Sequence, residues 1–117
     1  VLINPAVDAL NRMPQYLGQT LNNYHTDDSY CLKEDDLHEL SRYDTPVIER
    51  HGNYWLLVQT GDETLDYRLA VKKYQHCCQT VEEGGDHSFQ GFDRFHAASV
   101  DFFKTFHMQS SQRSTAK

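Results

Sequence analysis

Positive charge is scarce in this sequence. Eleven Lys and Arg stand against seventeen Asp and Glu, leaving a formal charge of −6. The chain therefore lacks the cationic excess that phosphate backbones or anionic lipid demand, and neither nucleic acid nor a membrane is expected as a partner. No apolar run approaches the ~20 residues that span a bilayer. Cysteine is also sparse. Cys31, Cys77 and Cys78 are odd in number, and the adjacent pair cannot close an ordinary long loop, so reduced thiols in a cytoplasmic setting are expected. No paired Cys or His flanks positions 77 and 78 at structural-zinc spacing, so no metal is assigned. The turns G-x-G-x-x-G and G-x-x-x-x-G-K-[ST] are missing, which leaves no expected cofactor, and no G-x-S-x-G elbow occurs. There is neither an initiator Met nor a signal-peptide pattern, so Val1 reads as a cut end with polypeptide expected upstream.

What remains is a chain of 117 residues, 38 % apolar and 12 % aromatic, too hydrophobic for disorder and sized for one domain. Val1 to Ile3 reads as a buried strand stopped by Asn4-Pro5, where proline removes a ladder donor. Tyr54 to Val58 lacks the alternation of a strand with one wet face, which suits a central parallel strand covered on both sides. Tyr67, Ala70, Val71, Tyr74 and Cys78 share a helical stripe, and a second strand follows at about Gln79 to Glu82 before the Gly84-Gly85 break. This is a βαβ unit. A last helix aligns Phe92, Phe95, Ser99, Phe102, Phe103 and Phe106. Between Val7 and Asn53, repeated Pro, Gly and Asn punctuation predicts short helices and loops, with a brief helix at Leu37 and Leu40 in an acidic stretch. The organisation expected is a single α/β domain over 1–108, with 8–53 a cap-like connecting segment and 109–117 a polar, fraying tail.

Candidate chemistry gathers at two loops. Gln59-Thr60-Gly61-Asp62-Glu63 puts an acid just past the carboxyl end of a buried parallel strand, the edge where open α/β sheets place function. One crossover later, Gly84-Gly85-Asp86-His87 should bring an imidazole to the same edge. A carboxylate that accepts a hydrogen bond from histidine Nδ1 fixes the tautomer and leaves Nε2 free to take a proton from a nucleophile. A plain turn and a chance glycine-histidine neighbourhood explain the same residues equally well, so both readings stay open. Glu63 and Asp66 are alternative acids, but Asp66 reads as a helix N-cap and Glu63 is expected to point away from Asp62. Ser88 is a poor nucleophile because adjacent loop side chains diverge. His25, His38, His51, His76, His96 and His107 read as surface or packing residues.

With these blocks in place, the sequence resembles the C-terminal half of the YqiA-type bacterial esterases of the α/β-hydrolase superfamily. The resemblance rests on Val-Leu-Ile-Asn-Pro-Ala-Val at 1–7, Tyr-Leu-Gly-Gln at 16–19 and Trp-Leu-Leu-Val-Gln-Thr-Gly-Asp-Glu-Thr-Leu-Asp-Tyr-Arg at 55–68. It continues through Gln-Thr-Val-Glu-Glu-Gly-Gly-Asp-His-Ser-Phe at 79–89 and Gly-Phe at 91–92. It implies that the three strands are sheet strands six to eight, that Asp62 is the triad acid and His87 the triad base, and that small esters with short acyl groups are substrates. The family's first half, with its serine elbow and oxyanion-hole loop, has no counterpart here, so this stretch alone should be inactive. The missing half is then a partner that pairs with the first strand. By the same resemblance 8–53 falls where cap elements cover an acyl pocket, which makes Tyr16, Tyr24 and Tyr30 candidate pocket walls, although tyrosines anchor loops more often. The rival expectations are a binding or scaffold module in which both loops are mere turns, and a hydrolase with an Asp or Cys nucleophile.

Overall fold

A computed structural model describes the backbone of residues 1–114 and the side chains of residues 1–105. The elements in chain order are β1 (Leu2–Ile3), α1 (Ala9–Arg12), β2 (Thr20–Asn22), β3 (Ser29–Cys31) and α2 (Glu34–Ser41). Then follow β4 (Trp55–Gln59), α3 (Tyr67–Lys73), β5 (Cys78–Glu82) and α4 (His96–Ser114). The chain divides into two compact units, Val1–Pro5 with Glu49–Lys117, and Ala6–Ile48. Among the described residues, no helix is long and apolar enough to cross a membrane.

The first unit is a parallel three-stranded sheet in the order β1-β4-β5. All five residues of β4 are buried, as its unbroken apolar run predicts for a strand with a neighbour on each edge and cover on both faces. Successive side chains alternate between faces. On one face Trp55 and Leu57 pack with Phe89, and Val1, Phe92, Phe95 and Phe102 close around them. The Trp55 ring lies 5.8 Å from that of Phe102, and its indole N–H donates to Thr80 Oγ1 at 3.0 Å, so the apolar body and its polar edge are both accommodated. Leu56 and Val58 are wholly buried on the other face, and α3 packs against β4 with Ala70 buried.

The crossover helix is shorter than its stripe suggests. It ends at Lys73, Tyr74 leaves the helix with φ −100°, and Cys78 is the first residue of β5. Pairing of Cys78 with Trp55 requires the chain to turn within a few residues, and five parallel ladder positions outweigh one more helical turn. The Gln79 amide donates to the carbonyls of Val71 and Tyr74 at 2.9 and 2.8 Å, satisfying acceptors that the stopped helix leaves open. The phenylalanine face also needs correction. Phe92 and Phe95 belong to a separate 3-10 turn ahead of α4, and Phe103 is 58 % exposed. Neighbours on a helix point about 100° apart, so Phe102 and Phe103 cannot both face the sheet. Phe106 lies outside the described side chains. The stretch expected to fray from Gln109 is helical to Ser114.

The second unit holds α1, a 3-10 turn at Met13–Tyr16, an antiparallel hairpin of β2 and β3, and α2. Short helices and loops were the expectation; the hairpin is additional. Three-residue strands are too short to display alternation, and their cause lies in the loop. There the Asn23 N–H donates to the Asp28 carbonyl at 2.9 Å, Asn23 Oδ1 accepts from the His25 N–H, and the Thr26 hydroxyl donates to Asp28 Oδ2. The acidic stretch becomes the first turn of α2. Asp36 Oδ2 accepts the Lys33 N–H at 2.8 Å, and Glu34, Asp35 and Asp36 face the positive end of the helix dipole.

These burials predict a contrast between two large apolar side chains. Leu57→Ala should cost about 2–5 kcal/mol in urea denaturation. Phe103→Ala should stay within about 0.5 kcal/mol of the parent; equal losses from both would contradict the packing described.

Candidate active site

The acid loop begins where β4 stops. Thr60 and Gly61 continue along the partner strand by donating their N–H groups to the carbonyls of Glu82 and Gly84, at 2.9 and 2.7 Å. Asp62 then folds back on its own backbone. Its Oδ1 accepts the N–H groups of Thr64 and Leu65, each at 2.9 Å, an Asx arrangement that an aspartate favours for lack of side-chain length. Asp66 caps α3 by accepting the Arg68 N–H at 3.0 Å, as its position in the sequence predicts.

The histidine loop follows β5. Gly84 and Gly85 have φ of +80° and +71°, the left-handed region that glycine enters without steric cost. At Gly61 the constraint is space: a Cβ there would lie 2.3 Å from the Gly85 carbonyl oxygen. The two loops can touch because that position has no side chain. This contact brings His87 Nδ1 to 2.9 Å from Asp62 Oδ2. The Asp62 side chain is 1 % exposed and that of His87 40 %.

Burial alone would push the Asp62 carboxyl upward. The His87 hydrogen bond, the Leu65 and Thr64 N–H groups and the attraction of the imidazole more than offset it, so its pKa lies below the ordinary 3.8. An ionised carboxylate only accepts, so Nδ1 carries a proton, and in the neutral ring Nε2 then bears the lone pair. The pair can therefore hold an imidazole as a base, oriented by an acid that stays charged.

Glu63 departs from expectation. It does not turn away: its Oε2 accepts the His87 backbone N–H at 3.1 Å, so two consecutive acids hold ring and backbone of one histidine. Beneath the histidine loop lie two buried amides, Asn4 and Gln59, which the sequence reading passed over. Their signal was slight: a polar residue ending each of two apolar strands. Beside the acid loop, Asp62, Glu63, Thr64 and Tyr67 help line an open cavity of about 330 Å³.

Tyr16, Tyr24 and Tyr30 lie elsewhere, in the second unit. With Met13, Leu21 and Leu37 they line an apolar cavity of about 560 Å³, but Tyr24 is 99 % exposed and contributes little wall. His51 and His76 stack edge to face at 5.2 Å, and His96 does the same with Phe92. His107 lies outside the described side chains. Among the described residues no group of three His, Cys, Asp or Glu is placed to hold a metal ion. Cys31, Cys77 and Cys78 are free thiols.

One comparison with known proteins bears on this arrangement. The model of a family described as an uncharacterised protein family, UPF0227, matches residues 1–104, which include both loops and all five strands.

The depressed Asp62 pKa carries a prediction. Above pH 3.8 the carboxyl is ionised folded or unfolded, and its stabilisation is fully present. As pH falls below that value the unfolded chain takes up the proton first, and the stabilisation is lost through the lower, folded pKa. Asp62→Asn should therefore flatten the acid side of the stability curve, read as urea midpoint against pH. An unchanged slope would mean that the carboxylate is not held as described. Glu82, held below 4.5 by Arg94 and Gln59, and Asp66, held below 3.8 by Arg68, contribute to the slope that remains.

Proposed function

We propose, because this chain belongs to UPF0227, the YqiA-type family, that it carries the acid and base of a carboxylic ester hydrolase. What supports the reading is one observation: a buried carboxylate and a half-exposed imidazole, 2.9 Å apart, at the carboxyl ends of consecutive parallel strands. In this reading the three strands are the last part of an α/β-hydrolase sheet. Partner polypeptide pairing along β1 supplies a serine and the donors of an oxyanion hole.

The chemistry follows from the two groups. Nε2 of His87 takes the proton from the serine hydroxyl as Oγ bonds to the ester carbonyl carbon. The imidazolium so formed faces Asp62, whose charge stabilises it without accepting the proton. Collapse of the tetrahedral intermediate breaks the carbonyl carbon to alkoxy oxygen bond, and Nε2 returns its proton to the departing alcohol. Water then adds to the acyl carbon by the same base, releasing the carboxylic acid and restoring the serine. No cofactor is required. Short acyl esters are the substrates proposed, with Tyr16, Tyr24 and Tyr30 as candidate acyl contacts and the cytoplasm, suited to three free thiols, as the location.

The test is ester turnover by the intact protein. Asp62→Asn should lower the rate by about 10⁴, the loss seen when the orienting acid of a serine protease is replaced, while the fold persists. A fluorophosphonate should label a serine, and His87→Ala should abolish labelling. Wild-type turnover in Asp62→Asn would reject Asp62 as the orienting acid. A protein that neither turns over esters nor takes the label would favour the scaffold reading.

A further inference from the structure

His87 sits in an irregular loop and its side chain is 40 % exposed, so the aim of the ring depends on how the loop backbone is held. We infer that Asn4 and Gln59 are positioning residues that hold the His87 loop in the one geometry from which the imidazole meets Asp62. The inference rests on the dyad reading above and extends it to two residues whose side chains bond neither the imidazole ring nor the Asp62 carboxylate.

Asn4 ends β1 with a left-handed φ of 40° and is buried. Its amide Nδ2 donates to the carbonyls of Asp86 and His87, at 3.0 and 2.9 Å. Those carbonyls belong to the two peptide groups on either side of the His87 Cα. Pinning both leaves little freedom in the φ and ψ of that residue, and so in the direction of its Cβ. The anchor itself is fixed: Asn4 Oδ1 accepts the Gln59 N–H at 3.1 Å, and the Asn4 N–H donates to the Leu57 carbonyl at 2.9 Å. The loop is thus tied across the sheet to the ends of β1 and β4.

Gln59 grips the loop at its other points. Oε1 accepts the N–H groups of Asp86 and Gln90 at 3.2 and 2.8 Å. Nε2 donates to the Gln90 carbonyl at 2.8 Å and to Glu82 Oε1 at 3.0 Å. A Cβ on Gly85 would lie 1.9 Å from Gln59 Oε1, so the loop backbone rests directly on this amide. Both amides are buried and hydrogen-bonded at both ends, which makes loss of either partner costly and loop displacement improbable while they stand.

The readout is the His87 Nδ1–H proton in the nuclear magnetic resonance spectrum of the intact protein. Bonded to the buried Asp62 carboxylate, it should give a far-downfield signal at neutral pH, which Asp62→Asn should shift or remove. Asn4→Asp keeps shape and acceptor but cannot donate to the two carbonyls. It should lose that signal while the Trp55 emission maximum and cooperative melting show the core intact. Should Asn4→Asp fail to fold, Asn4→Gly, which tolerates the positive φ, is read in the same way. A folded Asn4 variant with the signal unchanged overturns the positioning role and leaves the dyad standing. A wild-type protein without the signal overturns the dyad, and the positioning role with it.

Discussion

The distance between two loop backbones governs everything at the rim of this sheet. Gly61 offers a hydrogen where any other residue would place a carbon inside the Gly85 carbonyl, and its N–H closes on the Gly84 oxygen at 2.7 Å. Asp62 comes next in sequence and inherits that proximity. A helix crossing from β4 to β5 does the rest, since parallel pairing delivers both strands to the same edge. The pairing of acid and imidazole is therefore a backbone property first and an electrostatic one second.

The surrounding charges contribute less than they suggest. Glu82 and Arg94 form a two-point ion pair, and Asp66 meets Arg68, but the arginines are largely exposed. Exposed pairs of this kind add little to stability, because solvent screens the charges and ordering two long side chains opposes the attraction. The uncharged hydrogen bonds of Asn4 and Gln59 are buried, and leaving a buried donor or acceptor unpaired costs about 1–3 kcal/mol each. Rigidity at the rim thus comes chiefly from neutral amides, whose partners, the Glu82 carboxylate apart, are uncharged backbone groups.

The elements most legible in the sequence were those where one physical demand dominates. Trp55 to Val58 is apolar without alternation, and only a doubly covered strand satisfies it. The positions of Asp62 and His87 followed from that strand, the crossover and two glycine breaks. Other features depended on partners distant in the chain. Asn4 looked like a strand terminator because its bonds reach residues 86 and 87, which no local pattern reveals. Glu63 was expected to point away from Asp62, but its carboxylate accepts from the His87 backbone, a partner far along the chain that no local pattern shows. Cys78 fitted a helical stripe and went to a strand because the sheet register outweighed the local period. The β2 and β3 hairpin was hidden by its brevity and is written in Asn23, Thr26 and Asp28 instead of in apolar residues.

The side chain at position 59 meets two donors and two acceptors at once, inside a space closed to water. Among the natural side chains only a primary carboxamide offers two lone pairs on one atom and two protons on another. Asparagine has the chemistry but falls a methylene short, glutamate lacks the protons, and lysine lacks the lone pairs. The vocabulary available to this site is a single word, and the amide cannot even be rotated end for end without four mismatches. Natural variation here would need simultaneous change in the loop it supports, which makes position 59 and that loop one inherited unit.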